Sequence, residues 1–329
     1  LPIRGGSTSP SGLFWASDSL IRVSFAPSTA GGVNYYWTYD LVSSQTSIMS
    51  SNSVIEYDGI YYWAGVDRFL MYGGQVQEIP NNLNQNYFFD NLNFAQRQKV
   101  WATKVPRYGE IWWFYPRGDA TECTDAIIYN VRENTWYDCE LPNGGRSAGV
   151  FTSIFPRPLM TGVLPTFNDQ QVRITQDDDV RITEDGNTRV TQDSEQAQYR
   201  LWVHEIGTDE IDGQVVNPVR SYYETADMSL PVQSQTNKAL QVLLMEPDFV
   251  QSGDMTVQVR GRANARSPEV NGDIMTLYAD PPTPQDQVLY FKTQRRELRF
   301  RFESNTVGGD YQAGLILVHV QPSDGTVIG

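Results

Sequence analysis

Two stretches of this chain spell out the same order of elements, the second following the first after about 45–50 residues, the period of four-stranded β units arranged in series. The first runs Gly59-Ile60-Tyr61-Tyr62-Trp63-Ala64-Gly65, then Phe69-Leu70-Met71-Tyr72, then Val76 to Pro80. The second runs Gly109-Glu110-Ile111-Trp112-Trp113-Phe114-Tyr115, then Asp125 to Asn130, then Asn134 to Pro142. Each reads as a turn, an aromatic strand, a second apolar strand, a tight turn and a short strand closing on Ile-Pro or Leu-Pro. A weaker copy starts at Gly12-Leu13-Phe14-Trp15 and continues through Leu20 to Phe25 and Tyr35 to Leu41. Wide aromatic side chains on short strands suit the space between twisted sheets, where flat rings fill the gaps.

Helical periodicity is missing to the same degree. No stretch sustains apolar residues at i, i+3, i+4 and i+7 over three turns; the nearest, Asp90 to Val100, predicts one short helical turn. The expected fold class is therefore all-β, a partial β-propeller followed by a β-sandwich domain. Asn130 to Trp136 resembles the turn-plus-Trp element of kelch blades, without the Gly pair that precedes it there. Three units fall short of the roughly four to eight blades of a closed ring, so residues 1–160 are expected to be continued by blades N-terminal to Leu1. Residues 161–197 form an acidic insert of eight-residue repeats: Val172-Arg173-Ile174-Thr175, Val180-Arg181-Ile182-Thr183 and Thr188-Arg189-Val190-Thr191, separated by Asp-rich turns. Their period-two alternation predicts a small meander. Residues 198–329 carry about eight alternating runs, of which Leu298-Arg299-Phe300-Arg301-Phe302-Glu303 is the cleanest, and predict the sandwich.

Chemistry is sparse. The chain has 329 residues, two His, two Cys and a net charge of −14. A protein that grips nucleic acid neutralises phosphates with clustered Lys and Arg; here Lys is scarce and Arg scattered, which argues against a DNA-binding module but not against a DNA conduit. Cys123 and Cys139 give no metal-ligand spacing and are expected as free thiols, a cross-strand disulfide being the alternative. His204 and His319 lie mid-strand without ligand neighbours and are read as strand residues. Weak calcium candidates are Asp177, Asp178, Asp179, Asp185 and Asp193 in the repeat turns, since a hard cation takes several carboxylate oxygens. The spacing matches neither the EF-hand loop nor the calcium β-roll nonapeptide; solvated turns are the simpler reading. Trp112-Trp113 and Tyr61-Tyr62-Trp63 suit sugar-stacking platforms, with core the better reading. No catalytic residue and no cofactor is expected, and the chain is not read as an enzyme.

Several strings resemble the tail hub proteins of short-tailed bacteriophages, also called nozzle or packaged-DNA-stabilisation proteins: Asn86 to Asn93, Arg97 to Trp101, Pro106 to Trp112, Tyr115 to Asp119, Glu122 to Glu133 and Met245 to Met255. The resemblance covers most of residues 50–160 and, more loosely, 220–320. It implies a virion protein in a ring, usually of six copies, below the portal and adaptor ring. Such a ring lines the DNA exit channel, passes genomic DNA without sequence recognition, and holds tail spikes, fibres or a needle. The alternative expectation is a glycan-binding or glycan-cleaving propeller for host-surface attachment.

Overall fold

The computed structural model describes residues 3–7, 12–81, 85–142, 144–152, 154–163, 199–229, 239–263, 266–283 and 287–323. The protein is all-β, built from small antiparallel sheets, and divides into two compact units, Leu1–Glu205 and Ile206–Gly329. In the first unit, β1 (Ile3–Ser7), β2 (Gly12–Ala16), β3 (Leu20–Ala30) and β4 (Val33–Ser43) form the first sheet. The second holds β5 (Val54–Tyr57), β6 (Ile60–Ala64), β7 (Phe69–Tyr72) and β8 (Val76–Glu78). After helix α1 (Gln85–Asn91) and a 3-10 stretch over Phe94–Lys99, where the sequence predicts a helical turn, the third comprises β9 (Trp101–Val105), β10 (Glu110–Tyr115), β11 (Asp125–Asn130) and β12 (Thr135–Glu140). The fourth is β13 (Ala148–Val150), β14 (Leu159–Val163) and β15 (Tyr199–Val203).

Turn chemistry makes the meanders. Between β3 and β4 the chain reverses over Gly31 and Gly32, with φ of 58° and 77°. Two successive positive φ values make the hairpin turn whose twist matches its strands, and glycine adopts them without steric cost.

Strand alternation then stacks the sheets. On β6, Tyr61 and Trp63 face the first sheet and pack with Leu13, Trp15 and Leu20, while Tyr62 and Ala64 face the third. Trp15 lies 5.7 Å from Tyr61 and 5.8 Å from Trp63 between ring centroids. On β10, Ile111, Trp113 and Tyr115 face the second sheet, whereas Trp112 and Phe114 join Met160 of the fourth. Successive residues of one strand are thus both core, because the sheet between two neighbours is covered on both faces. Four indole N–H groups find backbone acceptors: Trp63 donates to the carbonyl of Ser47 (2.9 Å), Trp113 to Ser53 (2.9 Å), Trp136 to Pro80 (2.8 Å) and Trp101 to Arg146 (2.8 Å), whereas the buried Trp15 Nε1 has no partner among the described residues.

The second unit opens with a hairpin of β16 (Asp209–Asp212) and β17 (Val215–Pro218). Then come β18 (Ser221–Glu224), β19 (Ala239–Gln251), β20 (Met255–Arg262), β21 (Val270–Leu277), the two-residue strands β22 (Leu289–Tyr290) and β23 (Gln294–Arg295), β24 (Glu297–Ser304) and β25 (Tyr311–Ser323). One sheet has the order β18-β24-β20-β21; in the other, β19 pairs with β22, β23 and β25. Leu298, Phe300 and Phe302 are buried with Val242, Met245, Val257 and Val259 in one core.

The expected partial propeller followed by a sandwich is corrected by this topology. The described residues form seven separate small antiparallel sheets, and none closes into a barrel or propeller. The physical reason lies in the pairing. Each meander keeps its own edges, the row of four sheets in the first unit ends in two outer faces, and β22 and β23 reach β19 only as two-residue fragments. Aromatic spacing identifies the meanders; it does not dictate closure.

Trp113 is fully buried between Phe69, at 5.0 Å, and Trp136, at 5.9 Å. Replacing it with Ala should cost roughly 3–5 kcal/mol of stability, as large-to-small core changes do, read as a lower urea midpoint with an unchanged slope.

Candidate functional site

The residues singled out in the sequence do not converge. Asp177, Asp178, Asp179, Asp185 and Asp193 lie outside the described residues. Trp112, Trp113, Tyr61, Tyr62 and Trp63 are all buried, so none offers a ring face to a sugar. Cys123 and Cys139 are free thiols, both pushed up to about 12 by burial. His319 pairs with Glu246 across exposed strands at 2.8 Å. Among the described residues, no group of three His, Cys, Asp or Glu side chains is placed to hold a metal ion.

His204 has a structural task instead. Arg146, buried at the junction of the third and fourth sheets, donates its Nε–H to His204 Nε2 at 3.1 Å, so the ring is a neutral acceptor. The same guanidinium donates to the carbonyls of Gly144 (2.8 Å) and Pro142 (3.2 Å) and lies 3.7 Å over the Trp202 ring. Burial, and then the Arg146 charge, push His204 down to about 4. Next to it Glu110 accepts from Trp112 Nε1 (2.9 Å) and from the Tyr137 hydroxyl. Burial, and then Glu110, raise the carboxyl of Glu205. These groups seal a sheet junction.

The second unit presents a charged sheet face. Glu224 accepts from Arg260 (2.7 Å) and Arg301 (2.9 Å) and faces Arg299 (3.4 Å). Hydrogen bonds from Arg220 and then Arg301 hold the Glu303 carboxyl below the usual range, and Arg301 stacks 3.7 Å over Tyr222. A shallow depression of about 420 Å³ opens here between Arg220, Thr256, Arg260 and Glu303. Each of these guanidiniums meets a carboxylate, so the face offers no surplus of positive charge for a phosphate.

The feature with functional content is the surface at the two ends of the sheet row in the first unit. Cross-strand partners share a face, and on the first sheet the register aligns Phe14 with Ile21 and Leu41, Val23 with Tyr39, and Phe25 with Trp37. This face points away from the second sheet; the opposite face carries Leu13, Trp15 and Leu20, then the Arg22–Asp40 pair. Phe25, Trp37, Tyr39 and Leu41 are exposed, Tyr39 by 73%. Part of the face projects as an arm: β2 last pairs with β3 at Val23, beyond which, among the described residues, β3 pairs with β4 only, with a bulge between Phe25 and Ser28. Residues 23–39 contain no Asp, Glu, Lys or Arg.

The far end repeats the arrangement. On the fourth sheet Val150 aligns with Leu159 and Val203, Ala148 with Thr161 and Leu201, and Val163 with Tyr199. Tyr199 is 78% exposed, and Leu201, Val203 and Val150 are exposed beside it. Met160, on the other face, is buried against the third sheet. Sequence reasoning passed over both faces because alternation marks a strand's apolar side without telling whether that side is covered. The signal that distinguishes the arm is the long run without charge in a chain where charged residues make up 19%.

No protein-family model matches the chain, and no curated protein matches it significantly in sequence.

The His204 environment makes a pH prediction for the first unit. His204 is held neutral in the fold but binds a proton in the unfolded chain below its ordinary value near 6.5. The unfolded state thus takes up more protons between about pH 6.5 and 4, and stability falls as pH drops through that window. Urea titrations at pH 7.0 and 5.0 should show this loss, and His204→Gln, which keeps an acceptor for Arg146, should flatten the slope.

Proposed function

We propose that this chain is a non-catalytic structural subunit of a ring-shaped assembly, a wall segment of the DNA-exit channel in the tail of a short-tailed bacteriophage. The observation that carries the reading is the pair of open, charge-free apolar faces at opposite ends of one row of sheets. Soluble monomers rarely expose contiguous apolar patches beyond a few hundred Å². Each aromatic ring brings about 150–250 Å², and with Phe25, Trp37 and Tyr39 each more than half exposed their patch reaches the few hundred Å² that on a monomer marks a functional surface. Two different faces per copy give heterologous contacts, which close into rings when the rotation allows.

The tail reading comes from the resemblance of residues 50–160 and 220–320 to hub proteins, and it fits the charge. A net charge of −14 keeps a passing phosphate backbone from adhering. In this reading the ring, of six copies, sits below the portal and adaptor ring, and its outward loops hold spikes, fibres or a needle. The chain performs no chemical step, and its place is the virion.

The test is the state of the purified protein. Mass photometry and negative-stain electron microscopy at micromolar concentration should show closed rings around an axial channel. A protein that stays monomeric across that range overturns the reading.

A further inference from the structure

We infer that the outer face of β13–β15 of one copy stacks on the outer face of β1–β4 of the next, so that the row of sheets runs on from subunit to subunit. The inference rests on the reading of the chain as a subunit of a homo-oligomer and specifies the contact that builds it.

The first argument is continuity. Three face-to-face junctions already exist in the first unit, each closed by aromatic and aliphatic side chains from both sheets. Trp15 against Tyr61 and Trp63, Phe69 against Trp113, and Met160 against Trp112 and Phe114 are the same solution used three times. A fourth junction of this kind needs two apolar sheet faces. The chain supplies both, and among the described residues the second and third sheets have each face covered by a neighbour.

The second argument is chemical matching. The register places Phe14, Ile21, Val23, Phe25, Trp37, Tyr39 and Leu41 on one face. On the other it places Ala148, Val150, Leu159, Thr161, Val163, Tyr199, Leu201 and Val203. Neither set contains a charge, so stacking one on the other strands no ion. The first face carries wide rings and the second mainly aliphatic side chains, a pairing that interdigitates better than ring on ring throughout.

The third argument is the arm. A two-stranded hairpin is marginally stable in water by itself, yet β3 and β4 continue past the rest of their sheet with rings exposed. Seated on a neighbour's β15, the arm gains the third layer of contact that such a hairpin needs. The exposed parts of Phe25, Trp37, Tyr39 and Leu41 on one face and of Val150, Tyr199, Leu201 and Val203 on the other together come to the ~1,000 Å² that a specific interface requires.

The faces differ, so the contact is head-to-tail, and a mixing experiment reads that out. Tyr39→Glu spoils only the first face and Leu201→Glu only the second; both side chains are exposed, so both variants should keep the wild-type far-UV spectrum and urea midpoint. By sedimentation velocity the wild type should assemble and each variant alone should be monomeric. An equimolar mixture should give a discrete heterodimer, because the intact fourth sheet of one variant meets the intact first sheet of the other. Assembly of either variant alone to the wild-type size, or a mixture that stays monomeric, overturns the stacking while leaving the ring reading intact. A monomeric wild type overturns both.

Discussion

Everything in the first unit hangs on aromatic side chains packed between neighbouring sheets, several of them anchored through the indole N–H on a backbone carbonyl. Trp63, Trp113, Trp136 and Trp101 bury large rings without leaving an unsatisfied donor, and each acceptor lies on a loop between strands rather than in a ladder. The ring contributes apolar area and the hydrogen bond fixes its orientation. A sheet of four short strands with apolar side chains on both faces must cover both of them. Covered on both sides by such rings, the second and third sheets become the interior of a layered body.

That arrangement explains where charge sits. Arg146 is buried, but on the inward side of the fourth sheet, where carbonyls, a neutral histidine and the Trp202 ring surround it. In the second unit the arginines of β20 and β24 lie on one face among carboxylates, while Phe300 and Phe302 occupy the other.

Much of the local structure was legible in the residues. The runs at Ile60–Ala64, Phe69–Tyr72, Glu110–Tyr115 and Asp125–Asn130 announce strands through aromatic content and flanking turns, and the alternation from Leu298 to Glu303 shows which side is core. Closure was not legible, because it depends on how many sheets stack and through what rotation, and no local pattern encodes that number. The candidate site was missed for a related reason. Phe25, Trp37 and Leu201 have the same periodicity as the buried Trp112 and Trp113, and only position in the row decides which side chains stay uncovered. The Asp-rich repeats, by contrast, are conspicuous in residue chemistry alone. The role of Arg146 was equally silent, since a lone arginine in a glycine-rich loop carries no sign of the histidine and tryptophan it will meet.

The bulge in the arm has a further consequence. Pro27 falls within it, on a length of β3 flanked by β4 on one side and, among the described residues, by no strand on the other. Proline brings no N–H and a bulge bends the backbone, two devices that spoil a strand edge as a template for another chain. On that edge the arm is poorly suited to recruit a foreign strand, even though its face is adhesive. Such an edge is guarded against cross-β pairing, so another molecule that meets the arm meets its rings rather than its backbone.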